Sequence, residues 1–250
     1  MDNSRNDSLP EYIGLDGLAA RESMPFRPNP TDKQGVSSGF VNLVDVMGTD
    51  LTVVNAARVS FGKRSESLDD RDKRLISYLL KHEHTSPFRH GFFTFHIKAP
   101  IFVLRQWGKH QVGCSWNEIS LRYIKHDMGF WSPSAWRGKP VDSVKQGSGT
   151  EIEAQSEAQE AYLAALSTAE IAYHKLIDLG VCNEQARAIL PMSLMTEFWW
   201  TASLQAVLRF LDLRLAKDAQ SEIRDYAKAV ENIVSAHYPE VLEAWRLHVK

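Results

Sequence analysis

A dense polar cluster spans residues 105–123, directly after an apolar run that begins at Pro100. Proline suits the first turn of a helix, because its missing N–H group has no partner there. If that helix continues into the cluster, Arg105 lies above Lys109 on one face. Two cations on one face repel each other unless an anion lies between them. The cluster therefore predicts a pocket for an anionic ligand, with a solvated helix face followed by a loop as the alternative.

Two further arginines lie in apolar surroundings much later in the chain, at Arg187 and Arg214. Arg214 follows Phe210 by four positions and therefore shares a helix face with core residues. A cation there must pair with a carboxylate or an anionic ligand, because unpaired burial is costly. Arginine also suits forked recognition of phosphate and of nucleobase edges. The alternative is an internal ion pair, for which the candidate carboxylates are Glu184, Asp212 and Glu222.

The histidines and cysteines predict no metal site. His82, His84 and His90 lie close together, but their spacing completes no standard set of zinc ligands. The two cysteines, Cys114 and Cys182, build neither a disulfide framework nor a four-ligand zinc site. No base stands beside either of them in the sequence, so a cysteine nucleophile is disfavoured.

The periodicity of apolar residues predicts an α+β fold, with a central mixed or antiparallel sheet and a helical majority. Residues 1–38 are broken by four prolines and predict an extended arm, which precedes a single α+β domain over residues 39–250. In its first half we predict a hairpin, or a strand entering a short helix, over 40–54, then a helix that opens at 67–70 and ends near 82–84. A strand over 91–98, a helix from Pro100 and an irregular loop over 130–146 follow. The second half is predicted to be helical, with a long helix closed by Gly180, a short helix containing Arg187, a helix from Thr196 to Leu215, a helix from Asp218 and a C-terminal helix after Pro239.

Bulk composition excludes several classes of protein. The net charge of −2 gives no basic field for nucleic acid or for an anionic membrane. No apolar run approaches the ~20 residues that span a bilayer. The first residues lack the layout of a secretory signal, so we expect a soluble, cytoplasmic protein.

Two blocks of the polar cluster resemble the signature of the flavin-dependent thymidylate synthases. They are Arg105-Gln106-Trp107 and Ser115-Trp116-Asn117-Glu118-x-Ser120-x-Arg122-Tyr123. Where that family carries Arg-His-Arg, this chain has Lys109-His110-Gln111, and one extra residue precedes Ser115. The similarity continues over residues 39–236, through the blocks 55–60, 84–90, Leu190-Pro191, Thr196-Glu197-Phe198, Trp200-Thr201, Phe210-Leu211-x-Leu213-Arg214 and Ala219-Gln220-x-Glu222-Ile223-Arg224.

The resemblance implies a reaction, cofactors and an assembly. The reaction is reductive C5-methylation of 2′-deoxyuridine 5′-phosphate (dUMP) to dTMP. The cofactor implied is FAD, with NADPH and 5,10-methylenetetrahydrofolate as co-substrates. The family forms homotetramers with active sites between subunits.

The resemblance also implies roles for individual residues. The dUMP contacts would be Gln106, Glu118, Ser120, Leu121, Arg122, Arg187 and Arg214, of which Arg214, Ser120 and Glu118 would take part in catalysis. The flavin contacts would be Ser60, His84, Ser86, Lys109, His110, Gln111, Glu118, Ser203, Gln205 and Arg209. Five of the flavin positions differ from the family pattern, namely Lys109, Gln111, Ser203, Gln205 and Arg209. We therefore expect a nucleotide pocket with the family's contacts beside a flavin site whose contacts differ from those of the family.

Two alternatives remain open from the sequence. The first is a relative that transfers a one-carbon unit to the same nucleotide, for example as a hydroxymethylase, with altered or no use of flavin. The changed Lys109-His110-Gln111 triplet motivates it. The second is a non-enzymatic protein that binds a nucleotide or nucleic acid, although the near-neutral charge disfavours nucleic acid.

Overall fold

The computed structural model describes residues 39–124, 129–140 and 147–248. The predicted arm over residues 1–38 and part of the predicted loop lie outside the described residues. The elements in chain order are β1 (Phe40–Met47), α1 (Asp50–Arg58), α2 (Asp70–Lys81), β2 (Phe92–Pro100), α3 (Ile101–Trp107), β3 (Cys114–Glu118), α4 (Gln155–Asp178), α5 (Asn183–Ala186), β4 (Met195–Ser203), α6 (Leu204–Arg214), α7 (Ser221–His237) and α8 (Pro239–His248). Short 3₁₀ turns cover Val59–Phe61, Ser86–Arg89 and Arg187–Ile189.

The four strands form one antiparallel sheet in the order β1-β2-β4-β3. Alternate residues of the two central strands are buried, as expected for a sheet with one face on the core. The pairing of β1 with β2 is irregular between Leu43 and Asp45, where the register shifts. The predicted α+β class with a helical majority is confirmed.

The prediction of a helix that begins at Thr196 is wrong over its first eight residues. Residues Met195–Ser203 form the central strand β4, and the helix begins only at Leu204. Phe198 and Trp200 are buried, whereas Trp199 between them is 42% exposed, so the period of the pattern is two rather than 3.6. Aromatic and β-branched residues favour a strand here because they pack well on a pleated surface.

The α3 helix also ends earlier than predicted. It stops at Trp107, and Gly108 follows as its C-cap. Lys109 therefore lies outside the helix and does not stack on Arg105. Trp107 is fully buried, and its ring stacks on Phe210 at a centroid distance of 4.5 Å. This contact anchors the end of α3, and with it the loop that leads to β3.

The α2 helix begins at Asp70, slightly later than the predicted opening. Its N-cap is Asp69, whose carboxylate accepts from the backbone N–H groups of Arg71 at 2.8 Å and Asp72 at 2.9 Å. An aspartate at this position satisfies donors that the first helical turn leaves unpaired.

The last helices close the core beneath the sheet. Tyr238 is buried between α7 and α8, and its hydroxyl donates to the carbonyl of Met47 at 2.8 Å. A side chain on Gly91 would overlap that hydroxyl, which explains a glycine at the start of β2. None of the helices within the described residues combines the length and the apolar character that crossing a bilayer requires.

Candidate active site

Four of the residues expected to bind the nucleotide line one cavity of about 330 Å³, which we call the arginine cavity. They are Glu118, Ser120, Leu121 and Arg187. Glu118 ends the edge strand β3, and the next two residues belong to the turn that follows it. Arg187 opens the 3₁₀ turn after α5. Residues almost seventy positions apart are thus brought to one cavity.

The carboxylate of Glu118 is oriented by Thr196, a residue of a family block to which the sequence analysis gave no role in the site. Thr196 Oγ1 donates to Glu118 Oε1 at 2.7 Å. Thr196 is buried on β4 and lines the arginine cavity. The alternating pattern of β4 is the signal that would have pointed its side chain toward this site.

Arg122 and Arg187 meet at Glu184. The carboxylate Oε2 of Glu184 accepts from Arg122 Nε and lies 3.2 Å from Arg122 Nη2. The backbone carbonyl of Glu184 accepts from Arg187 Nε at 3.4 Å. Because the side chains of Arg122 and Glu184 are 47% and 61% exposed, their ion pair adds little stability. An anionic ligand can therefore compete for Arg122 at small cost.

Arg214 belongs to a second group of expected site residues, the Arg214 cluster, which also contains Gln106 and His110. Arg214 Nε donates to His110 Nε2 at 3.0 Å, and Arg214 Nη2 donates to the Gln106 carbonyl at 3.1 Å. Because a guanidinium has only donors, His110 Nε2 must accept, and the neutral ring carries its proton on Nδ1. Burial, together with the nearby Arg214, lowers the pKa of His110 to about 4. The imidazole is therefore neutral at physiological pH.

The side chain of Gln106 is also held in place. Its amide Nε2 donates to Gln220 Oε1, in the connection between α6 and α7. Arg224 stabilises this connection, since its Nη2 donates to the carbonyls of Lys217 at 2.6 Å and Ala219 at 2.5 Å.

The carboxylates proposed as ion-pair partners of Arg214 are engaged elsewhere. Glu184 pairs with Arg122, Glu222 pairs with Arg137, and Asp212 accepts from Trp245 Nε1 at 2.8 Å. Among the described residues, no carboxylate forms a salt bridge with Arg214. Burial lowers the pKa of Arg214 below the usual value for a guanidinium, although the group stays charged. The internal ion-pair interpretation of Arg214 is therefore not supported.

Three of the expected flavin contacts line a second cavity of about 810 Å³, the large cavity. They are His84, Gln205 and Arg209. His84 is placed by the end of α2, where its N–H donates to the Leu79 carbonyl at 2.8 Å and the N–H of Glu83 donates to the Leu80 carbonyl at 3.1 Å. This is the Schellman arrangement, and it puts Glu83 in the left-handed region at φ 55°. A non-glycine residue there is uncommon and fixes the chain direction at the cavity.

The remaining expected flavin contacts lie outside the lining of the large cavity. Ser60, Ser86, Lys109 and Gln111 are exposed. Ser203 is buried, and its hydroxyl accepts from the Ala206 N–H at 3.2 Å as the N-cap of α6.

Gly113 accommodates the loop between α3 and β3, which carries the changed triplet. Its φ is +76°, and an added Cβ would lie 2.9 Å from Ser203 Oγ. The backbone of this loop therefore approaches α6 more closely than a larger residue permits.

The large cavity and the Arg214 cluster lie on opposite sides of α6. At about 100° per residue, Arg214 stands about 180° around the helix from Gln205. Arg209 and Asp212 share the side of Gln205 and line the large cavity. One copy of the chain thus presents the expected flavin contacts of the large cavity and the Arg214 cluster in different directions.

A cysteine nucleophile and a metal site are both disfavoured among the described residues. Burial raises the pKa of the Cys114 thiol, so it is not an activated nucleophile. The rings of His82 and His84 both lie against Tyr78, at centroid distances of 4.4 Å and 5.8 Å. Within the described residues, no group of three or more His, Cys, Asp or Glu side chains is arranged to hold a metal ion.

The comparisons with known proteins agree with the motifs. Residues 42–240 match the family model described as thymidylate synthase complementing protein. The chain is 41% identical over 211 residues to the flavin-dependent thymidylate synthase of Thermosipho melanesiensis, covering 84% of this chain and 91% of the relative. The chain belongs to the flavin-dependent thymidylate synthase family. The prediction of an enzyme of this family is confirmed.

Further relatives of the flavin-dependent thymidylate synthase family match at similar levels. The enzyme so named from Thermus thermophilus is 42% identical over 220 residues, covering 86% of this chain and 78% of the relative. Among solved structures, the UMP/dUMP methylase PolB from Streptomyces cacaoi, bound with 5-Br dUMP, has a TM-score of 0.78 and 31% identity. That match covers 86% of this chain and 97% of PolB.

The large cavity fits the flavin that the family name implies. Its volume of about 810 Å³ is within the range of small-molecule sites. Lys81 and Arg209 supply cations for a diphosphate, whereas Leu79, Leu208 and Trp245 supply apolar surface for a flat ring. The lining, which also contains the carboxylates of Glu83 and Asp212, therefore offers both cations for phosphate and apolar surface for a ring.

Proposed function

We propose that this protein methylates dUMP at C5 to form dTMP, using 5,10-methylenetetrahydrofolate and NADPH as co-substrates and FAD as cofactor. The observation that carries the proposal is the arginine cavity, where Glu118, Ser120 and Arg187 converge in a chain of this family. A cavity of about 330 Å³ suits one nucleoside monophosphate.

Arg187 of the arginine cavity, together with Arg122 outside its lining, would hold the phosphate and the pyrimidine oxygens of dUMP. Arg122 and Arg187 already converge on Glu184, and both can form forked hydrogen bonds with an anion. Ser120 would orient the nucleotide. Glu118, whose Oε1 is held by Thr196, would position the ring or a bound water with its other oxygen.

The Arg214 cluster would act on the reacting ring. Arg214 would stabilise the negative charge that develops on the uracil carbonyls, which makes C5 more nucleophilic. Its orientation is set in advance by His110 and the Gln106 carbonyl. His110 stays neutral and would pack against the isoalloxazine. When bound, the flavin supplies the reducing equivalents that complete the methyl group.

The site would be assembled from more than one copy of the chain, in a homotetramer. The opposite directions of the large cavity and the Arg214 cluster on α6 support this arrangement. A flavin bound at His84 and Gln205 of one copy would then meet His110 and Arg214 of another. The long helix α4 offers surface for such contacts, because only Leu166 and Tyr173 of its residues are buried.

The proposal is tested on the purified full-length chain. An absorption spectrum measures bound flavin, and mass spectrometry measures the product formed from dUMP, methylenetetrahydrofolate and NADPH. We expect a flavin spectrum and dTMP. UMP is offered in parallel, since PolB is named for both nucleotides.

Two other outcomes of this experiment would support the alternative functions instead. A hydroxymethylated nucleotide formed without bound flavin would replace the proposal by the hydroxymethylase. No turnover, together with salt-sensitive binding to DNA, would favour a non-enzymatic protein.

A further inference from the structure

Residues 129–140 form a strap along one side of the domain, and no motif of the sequence assigns them to the site. The strap begins beside β4, where the N–H of Met195 donates to the carbonyl of Gly129 at 2.9 Å. It then follows α4, because the side-chain amide of Gln155 exchanges two hydrogen bonds, each of 2.8 Å, with the backbone of Trp136. The strap is therefore fixed on two elements of the fold.

Trp131 and Arg137 connect the strap to two further helices. The ring of Trp131 packs edge-on against Phe102 of α3, at a centroid distance of 5.0 Å. The guanidinium of Arg137 donates to Ser221 Oγ and to Glu222 Oε1, both in the first turn of α7. The strap thus bridges α3 and the start of α7.

The ion pair between Arg137 and Glu222 fixes the start of α7. Their side chains are 30% and 11% exposed, so water screens the pair only in part. The second oxygen of Glu222 accepts from Ser221 Oγ at 3.3 Å, so both carboxylate oxygens are engaged. Removing Arg137 leaves a largely enclosed carboxylate without its cation. We therefore expect the first turn of α7 to shift toward solvent when Arg137 is removed.

The start of α7 also carries the partner of Gln106. Gln220, the N-cap residue of α7, accepts from Gln106 Nε2 through its side-chain oxygen. Arg214 in turn donates to the backbone carbonyl of Gln106 at 3.1 Å. Phe102 lies one helical turn before Gln106 in α3, and Ser221 directly follows Gln220. The strap therefore touches both elements that the glutamine pair joins, and the contacts close into a ring.

We propose that Arg137 is a positioning residue, which keeps Gln106 and Arg214 in the geometry that the nucleotide requires by holding the start of α7 against the strap. Arg137 lies outside the linings of the arginine cavity and the large cavity, so it acts through Gln220. A displacement of about 1 Å at a reacting group can cost ~100-fold in rate, so a small shift of α7 is sufficient. This inference rests on the proposed function, because it takes Gln106 and Arg214 to act on dUMP.

The proposal is tested with Arg137→Ala in the full-length chain, beside Arg137→Lys and a matched control. The control is Arg246→Ala, which removes an ion pair with Glu231 in the second half of α7. Arg246 also lies outside the linings of both cavities. Steady-state rates of dTMP formation give kcat and the KM for dUMP. Thermal unfolding and the flavin spectrum show whether each variant is intact.

We expect Arg137→Ala to lower kcat by at least about tenfold, with the unfolding temperature and the flavin content close to those of the parent. Arg137→Lys keeps the charge without the forked contact and should recover part of the rate. Arg246→Ala should match the parent. A double-mutant cycle with Gln220→Ala then tests the route. If Arg137 acts through Gln220, Arg137→Ala should change kcat by less than about twofold once Gln220 is replaced.

The ring of His110 gives a second measurement, which does not require turnover. Burial, together with the nearby Arg214, lowers the pKa of His110 to about 4. In Arg137→Ala, Arg214 should lose its alignment, and the pKa of His110 should rise toward the ordinary value of 6.5. NMR of the histidine rings measures this titration, with His110→Gln to assign the signal. Arg246→Ala should leave the pKa of His110 unchanged.

Three results overturn the inference and leave the proposed function intact. They are additive losses of kcat in the cycle, an unchanged pKa of His110 in Arg137→Ala, and a loss of rate that only follows a loss of folded protein or bound flavin. If Arg137→Ala does not fold, Glu222→Gln, which weakens the same ion pair but keeps its shape, takes its place in both measurements. A parent protein that forms no dTMP overturns the proposed function and, with it, the role of Arg137 in the reaction.

Discussion

The Nε–H of Arg214 points at the unprotonated Nε2 of His110 across 3.0 Å. The contact joins the end of α6 to the loop before β3 and aligns the guanidinium without a carboxylate partner. A cation that is positioned but not neutralised keeps its full charge for a ligand.

Removal of Arg214 should therefore abolish activity without unfolding the protein. For Arg214→Ala we expect dUMP methylation to fall by at least about 100-fold, the usual cost of losing one preorganised donor to a developing anion. Arg214→Lys serves as a control that keeps the charge but loses the forked geometry, and it should recover only part of the rate. A variant that is already unfolded at room temperature would make Arg214 a structural residue instead.

The lowered pKa of His110 predicts how the free energy of unfolding changes between neutral and acid pH. Its pKa is about 4 in the folded protein and 6.5 as the unperturbed value. Between these values the unfolded chain binds a proton that the folded chain does not, so the free energy of unfolding must fall as the pH falls. Urea unfolding between pH 7 and pH 4.5 measures this, and His110→Gln should show the shallower slope. Equal slopes for both proteins would mean that His110 titrates normally in the folded state.

Glu184 should act as a weak competitor of the nucleotide phosphate, because its carboxylate occupies Arg122. We expect Glu184→Gln to tighten dUMP binding by about threefold, in line with the small energy of an exposed ion pair. Isothermal titration calorimetry measures the constant. Glu157→Gln, on exposed α4 surface, is the matched control. Weaker dUMP binding by Glu184→Gln would show that Glu184 positions Arg122 instead of competing for it.

Asp50 should matter for stability through α8. For Asp50→Ala we expect a loss of about 2 kcal/mol, because two backbone donors at the start of that helix lose their acceptor. Asp50→Asn keeps one acceptor oxygen and should lose less. Thermal and urea unfolding give the values. Equal stability of Asp50→Ala and the parent protein would show that Asp50 does not stabilise the start of α8.

Sites shared between copies can be tested by mixing two inactive variants. Arg187→Ala removes the guanidinium of the arginine cavity, and Arg214→Ala removes that of the Arg214 cluster. If one site takes these residues from different copies, co-refolded hybrids should regain roughly a quarter of the intact sites, as random assembly of a symmetric oligomer predicts. Activity per milligram before and after mixing is the measurement. No recovery from well-formed hybrids would place both groups in one copy.

Local patterns predicted most of the helices and the central strand β2, but not its central neighbour β4. The alternation of β2 and the acidic opening of α2 were sufficient signals, since each depends on neighbouring residues. β4 was misassigned because its apolar aromatic residues extend into a true helix, and a buried central strand reads like the start of that helix.

The site was predicted only where a motif covered it. The motifs identified the residues around Glu118 and Arg187, but the contact of Thr196 with Glu118 and the side of the large cavity formed by α8 depend on contacts between distant elements. The Trp245–Asp212 and His248–Ser77 contacts join residues 33 and 171 positions apart, and no local pattern specifies such pairs.

The edges of the sheet limit how copies of this chain can associate. One border strand, β1, is interrupted between Leu43 and Asp45, and the other, β3, has only five residues. Short or irregular borders are poor templates for hydrogen bonding to another chain. Self-assembly by extending the ladder into a continuous intermolecular ribbon is therefore disfavoured, which leaves helix surfaces, loops and the sheet face turned away from the core for quaternary contacts.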